Sequence, residues 1–514
     1  MKKLYLMIII GTFLISSLNV EAIFNENSKN DIENKILDRT PIEKRGELNI
    51  GEDLDPLVDI EVTVDILSIR ALDDIDIFSD PDFFVKVLIN NEEFNSSIWN
   101  DSSYLYDIQW KATADVPDDI ENVEISIQLF DETIFGERFC DIGAERNMVS
   151  EGFTVDLIYN IKTGHWSGDD CVYDDSSGYG RLNGCDDGSI YKNERDCELF
   201  FTIYQTDADG DNIPYWTEVN AYGTDPEVDN TGEDLDVDSI PIEWEHKWMY
   251  NPNIWDDHKH LDLDDDSLTN FEEYRTSQWY SDPYRRDLFI EMDVMAEGPL
   301  GQNSSVPNQS KELLRTAYNR RNIVFHLDDG CMGGGGEAIP FDRKTFRYEL
   351  LSIYNNYFLH NDSENWRRSV FHYAMIIYNH YSASGIAYVG ENPKLYWHAQ
   401  GINTFVIAAQ SMDKISRKIF KDKDKVFACA IMHETGHTFG IDFMYPVGCD
   451  NKRTARPRNL AFWIFRSYKS CMNYRYTFDI IDYSDGSHGL FDYDDWSNLD
   501  FSFFERKDTV SYPV

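Results

Sequence analysis

The sequence predicts a multidomain chain: an N-terminal antiparallel β-sandwich, an acidic repeat spacer and a C-terminal α/β (α+β) domain. Three observations carry this expectation. The chain has 514 residues, and single hydrophobic cores stop growing at roughly 250–300 residues. Apolar alternation with a period of two recurs between residues 58 and 204, the pattern of half-buried antiparallel strands. Beyond Asp287, short apolar strand-like runs alternate with helical segments, as a layered α/β or α+β domain requires. A hydrophobic content of 42% and an aromatic content of 14% supply packed cores, which excludes a chain disordered throughout.

The first 22 residues read as a signal peptide. Lys2 and Lys3 precede an apolar run over 4–15, and Val20-Glu21-Ala22 offers small residues for cleavage. The run is shorter than the roughly 20 residues that span a bilayer; an uncleaved anchor is the alternative. Residues 23–57 are polar and unpatterned, a linker or short pro-segment. A secreted or cell-surface location fits the cysteines. Cys140, Cys171, Cys185 and Cys197 fall in one half, and Cys331, Cys429, Cys449 and Cys471 in the other, so two disulfides per region are expected. Asn95, Asn100, Asn303, Asn308 and Asn361 lie in N-x-S sequons, which permit glycosylation.

Lys and Arg total 46 against 93 Asp and Glu, a formal charge of −47. That field repels phosphate backbones and excludes nonspecific nucleic-acid binding. It favours hard cations, which take oxygen ligands.

The sandwich is expected over 58–205, with strands at 60–66, 84–89 and 123–129. Ser79-Asp80-Pro81-Asp82-Phe83-Phe84-Val85-Lys86-Val87 follows a strand, Asp74 stands six residues before Asp80, and Phe130-Asp131 ends a later strand. In these features the region resembles the calcium-dependent lipid-binding (C2) domain. The resemblance implies calcium at Asp74, Asp80 and Asp131 and a calcium-dependent contact with a membrane or surface. Thr133 stands where the family's second loop usually carries another Asp. A purely structural sandwich with solvated loops is the competing reading.

Residues 206–284 carry a repeat of 27 or 28 residues. Asp207, Asp209 and Asp211 are followed by Glu218; Asp234, Asp236 and Asp238 by Glu245; Asp262, Asp264 and Asp266 by Glu273. Each run is D-x-D-x-D with Glu at the twelfth position. Carboxylates at positions 1, 3 and 5 converge as such a loop curls round a calcium ion, a carbonyl at position 7 adds a ligand, and the Glu closes the shell. These loops resemble EF-hand and thrombospondin type 3 calcium loops. Position 6, usually Gly, holds Asn212, Ser239 and Ser267, and Asn tolerates the left-handed turn better than Ser.

Within 285–514, strands are expected at 288–294, 322–327 and 403–410, and helices at 310–319, 346–357, 369–378 and 425–440. The Gly run after Cys331 lacks the G-K-[ST] of a phosphate loop. The last helix carries His433-Glu434-Thr435-Gly436-His437. Histidines four apart leave one helix face together, and two neutral imidazoles suit tetrahedral zinc. Glu434 lies beside the ion, where it can take a proton from water on the metal and deliver it to a leaving amine. Gly440 ends the helix, and Ser470-Cys471-Met472-Asn473-Tyr474 follows.

Together these residues resemble the metzincin superfamily of zinc peptidases. The resemblance implies that Met472 forms a floor under the metal in a Met-turn, that Tyr474 assists at the metal or the oxyanion, and that the 403–410 strand is an edge aligning an extended peptide substrate. The family's third ligand position, three residues after the Gly, is Phe443 here. Asp442 is the first candidate for that ligand, with Asp450 and His488 as alternatives. The acidic segment 482–495 binds calcium, frames the cleft or is simply solvated. The expected function is secreted zinc-dependent hydrolysis of internal peptide bonds, with Zn2+ and Ca2+ as cofactors. The rival, which Phe443 favours and Glu434 opposes, is a catalytically inactive calcium-binding adhesion or scaffold protein.

Overall fold

The computed structural model describes residues 53–503 except 77–78, 144–152, 171–179, 193, 389–403 and 442–445. The signal-peptide expectation, most of the linker expectation, Asp442, Phe443 and Cys171 therefore lie outside the described residues.

The N-terminal sandwich is two antiparallel sheets. In one, Glu61–Ala71 pairs with Cys197–Gln205 on one side and with Tyr104–Leu105 and Trp110–Asp115 on the other, and Arg181–Asn183 adds to Cys197–Gln205. In the other, Phe83–Ile89 and Asn122–Thr133 form the centre, flanked by Glu92–Asn95, Gly136–Cys140, Thr154–Asn160 and His165–Gly168. Val62, Val64 and Ile66 face Val85, Val87, Ile125 and Ile127 in one apolar core. Period-two alternation produces this, because successive side chains leave opposite sheet faces.

The seven described cysteines are free thiols, so the expected disulfides are absent among the described residues. Cys185 donates to Asp196 Oδ2 at 3.2 Å. Burial and the neighbouring Cys140 push the Cys197 thiol well up.

The C-terminal domain is built on a mixed sheet. Its main strands are β1 (Asp287–Met295), β2 (Val324–Asp328), β3 (Phe371–Ile377), β4 (Gly385–Tyr388) and β5 (Thr404–Ala408). Their order is β2-β1-β3-β5-β4, parallel except for β4. Helices α1 (Asn308–Asn319), α2 (Ala409–Ile419) and α3 (Lys423–Thr438) cover one face. Two expectations are corrected. Residues 369–378 are mostly the strand β3, whose run is buried on both faces and so has no alternation to separate it from a helix. The 403–410 strand is interior; the edge strand beside it among the described residues is the antiparallel β4. The 346–357 helix is a short α-helix, Arg347–Ile353, continued by a π turn, Tyr354–Phe358.

Helix α1 also meets the sandwich. Arg70 pairs with Glu312 at 2.8 Å in a buried bridge, Tyr106 donates to Glu312 at 2.8 Å, and Asn319 donates to Glu198 at 2.6 Å. No helix of the described residues is long and apolar enough to cross a membrane.

Candidate metal centres

Helix α3 begins at Asp422, whose side chain accepts from the Asp424 N–H at 3.1 Å. It ends in a Schellman motif: Gly440 has φ +85°, Ile441 N–H bonds the Gly436 carbonyl at 3.1 Å, and Gly440 N–H bonds the His437 carbonyl at 3.3 Å. The helix is apolar nearly all round, so it lies inside the domain.

His433 and Glu434 are buried, at 4% and 6% exposure. Both histidines donate through Nδ1 to backbone carbonyls, His433 to Cys471 at 2.9 Å and His437 to Ile441 at 2.5 Å. Carbonyls only accept, so these bonds put a proton on each Nδ1 and aim each Nε2 at a common point. There Asp450 Oδ2 lies 3.9 Å from His433 Nε2 and 3.5 Å from His437 Nε2. Tyr474 donates to the same carboxylate at 3.1 Å, and its ring stacks on His433 at 5.9 Å. The Ser470–Tyr474 turn passes beneath the helix. A Cβ at Gly436 would stand 2.5 Å from Met472 Sδ, so only glycine admits this approach. On the other side a Cβ at Gly385 of β4 would meet Glu434 Oε1 at 2.4 Å.

The charges are tightly linked. Burial, helped by the neighbouring His437, pushes His433 down to about 4. Burial also opposes the charge on His437, but the hydrogen bond and charge of Asp450, together with Glu434, carry it up to about 9. Burial acts against Asp450 too, yet His437 and His433 hold its carboxyl well below the usual range. Two imidazole nitrogens and one carboxylate oxygen within 4.8 Å of one another fit a zinc ion with an open position. Burial, reinforced by Asp450, lifts Glu434 to about 8.

Asp450, an alternative in the sequence, joins the two histidines. His488 does not. It turns its Nδ1 to Asp492 at 3.0 Å and gathers with Asp485 and Asp492 in a separate cluster.

The three repeat loops share one geometry. The N–H of position 6 donates to the first Asp in each: Asn212 to Asp207 at 2.8 Å, Ser239 to Asp234 at 2.9 Å and Ser267 to Asp262 at 3.1 Å. All three position-6 residues have positive φ, +64°, +91° and +75°, so the chain takes the turn without glycine. Position 7 is buried, and its N–H bonds the Asp at position 5: Ile213 to Asp211, Ile240 to Asp238 and Leu268 to Asp266. In all three loops carboxylate oxygens at positions 3 and 12 are buried without a hydrogen bond: Asp209, Asp236 and Asp264, then Glu218, Glu245 and Glu273. Buried carboxylates need partners, and six at matching positions fit a cation in each loop. Burial, with the neighbouring carboxylates, raises Asp211 to about 6, Glu245 to about 7 and Glu218 to about 8.

The remaining oxygen of position 5 reaches forward. Asp211 accepts from Asn230 N–H, Asp238 from Asp256 N–H and Asp266 from Asp287 N–H. The last bond ties the third loop to the first residue of β1.

In the sandwich, Asp131 is fully buried and takes the Arg138 guanidinium on Oδ2 and the Asp82 N–H on Oδ1 at 3.0 Å. Arg138 also pairs with Asp76. The expected calcium position at Asp131 thus already holds a cation, an arginine that a sequence read for carboxylates alone overlooks. Asp74 and Asp80 are exposed, and Asp80 accepts from Ser103 at 2.6 Å.

No family model and no curated protein matches the chain. Among solved structures it is similar to a C2 domain at 12% identity, covering 28% of this chain and 97% of that one with a TM-score of 0.17. A C2 domain of plant Extended Synaptotagmin 1 matches at 12% identity over 28% of this chain and 95% of that one, TM-score 0.17. Human GIVD cytosolic phospholipase A2 matches at 14% identity over 29% of this chain, TM-score 0.18, and the chain spans only 16% of its length.

Proposed function

We propose that the chain is a secreted zinc-dependent endopeptidase whose metal is held by His433, His437 and Asp450. The carrying observation is the convergence of two Nε2 atoms and Asp450 Oδ2, with Glu434 alongside. Zinc, when bound, supplies a Lewis acid that polarises a carbonyl and lowers the pKa of water.

The chain's own residues do the rest. The Cys471 and Ile441 carbonyls lock the imidazoles. Glu434, buried beside the two imidazoles, takes a proton from the attacking water and returns it to the leaving nitrogen. An N–H of Ala387 in β4 bonds Glu434, so that edge of β4 faces the reacting groups. An extended peptide can add to it as a further strand. Tyr474, hydrogen-bonded to Asp450, stands where it can donate to a developing oxyanion. Cations held by the three loops stiffen the spacer under β1. The scaffold alternative lacks a use for a buried Glu434 beside two oriented imidazoles.

The test is a broad library of unfolded peptides, offered to zinc-loaded, calcium-replete mature protein. Cleavage at internal bonds is expected, with zinc and activity lost together in Asp450→Ala. Absence of any cleavage refutes the enzyme.

A second reading concerns the sandwich. Ile134 and Phe135 at the tip of the Asn122–Thr133/Gly136–Cys140 hairpin are 93% and 94% exposed, and we infer that this tip touches a membrane or another apolar surface. Arg138 already fills the carboxylates behind it, so the contact needs no calcium there. Liposome flotation that is unchanged in Phe135→Ser would remove this reading.

A further inference from the structure

The second repeat loop differs from the other two in a way its sequence motif does not announce. His258, 13 residues beyond Glu245, folds back into it. The ring is 1% exposed, and its Nε2 lies 3.2 Å from Asp238 Oδ2 and 3.9 Å from Glu245 Oε1. Among the described residues, Nε2 makes no hydrogen bond, and neither does either oxygen of Glu245, which is fully buried. Asp238, Glu245 and His258 therefore present one nitrogen and two oxygens within 4.8 Å of one another.

The ring cannot swing away. Trp244 and Tyr250 meet it edge-on at 5.8 and 4.7 Å, and its Nδ1 lies 3.0 Å from the Asn270 amide, which also meets the Tyr250 hydroxyl at 2.8 Å. Asn270 is buried and its other amide atom is unpaired. The two heads of an amide are interchangeable by a half-turn. With its oxygen toward His258, Asn270 accepts from both Nδ1–H and the Tyr250 hydroxyl, which leaves the Nε2 lone pair facing the carboxylates. That is the arrangement by which a histidine ligand is oriented.

Calcium takes oxygen ligands, whereas imidazole suits zinc and its neighbours in the first transition row. In the first loop the gathered groups are carboxylates alone, Asp207, Asp209, Asp211 and Glu218. We propose that the second loop is a zinc-class metal site, formed by Asp238, Glu245 and His258 and independent of the helix site, while the first and third loops take calcium. It replaces the expectation of three equivalent calcium loops.

The test counts zinc in the full chain, loaded in excess calcium and freed of unbound metal. The unmutated protein should hold two zinc ions and His258→Gln one. The double variant His433→Ala/His437→Ala should hold one, and that ion should disappear when His258→Gln is added. X-ray absorption on the zinc-loaded double variant needs no change at position 258, and should show one imidazole in the metal shell. An all-oxygen shell, or a zinc count that His258→Gln leaves unchanged, overturns the proposal. The second result is also what a protonated His258 standing in for the ion would give. Failure of the peptidase reading would remove the ion lost with His433 and His437 but not the one lost with His258.

Discussion

Val237 shows how single side chains set the loops. It occupies position 4 of the second loop with φ +68°, where the first loop has Gly210 and the third Asp265, also at positive φ. A left-handed residue with a Cβ costs about 1–2 kcal/mol, and Val237 is 79% exposed, so no packing offsets that. Glycine in its place loses about 0.5–1 kcal/mol through chain entropy. Val237→Gly should therefore stabilise the metal-loaded protein by about 0.5–1 kcal/mol, read as a higher unfolding midpoint; a lower midpoint contradicts the strain. Position 6 teaches the converse. Asn212, Ser239 and Ser267 were the loops' departure from the expected glycine, and all three take the left-handed turn. Sequence located the carboxylates but not His258, because no spacing rule links a residue of the next segment to this loop.

Among the elements, those with a strong local signal were legible. The helix expected at 425–440 is Lys423–Thr438, closed by the predicted Gly440, and the strand expected at 288–294 is Asp287–Met295. β3 was misread because a strand buried on both faces has no period. Asp450 was legible only as one of three candidates, since tertiary folding, not spacing, brings it to the histidines. The loops also carry a pH signature. Asp211, Glu245 and Glu218, raised by burial to about 6, 7 and 8, bind protons more readily folded than unfolded. Their contribution to stability is present in acid and is lost as pH rises through those values. Metal-free protein should thus weaken between about pH 4 and pH 8, and chelation at pH 8 should expose residues 207–273 to limited proteolysis. Bound ions should flatten this dependence. Equal resistance with and without chelator at pH 8 would count against the loops as metal sites.

At the scale of the whole molecule, the sandwich, spacer and C-terminal domain are tied by polar contacts that no sequence pattern marks. Asp266 accepts from the first residue of β1, and Glu312 of α1 binds Arg70 of the sandwich at 2.8 Å with both side chains nearly buried. Removing one partner of a buried pair costs about 3–5 kcal/mol, because the other charge is stranded. Glu312→Ala should destabilise the junction by that order and separate the unfolding of the two domains in calorimetry; an unchanged single transition contradicts this.

In the C-terminal domain, α3, β4 and the Ser470–Tyr474 turn together frame the histidines. The measurement that reaches the central claim most directly is turnover of Glu434→Gln at verified zinc content. In the proposed mechanism Glu434 moves a proton and holds no metal, so the variant should keep its fold and its zinc yet lose on the order of 100- to 10,000-fold in rate. Undiminished cleavage by zinc-loaded Glu434→Gln would contradict the assignment of this helix to the reaction.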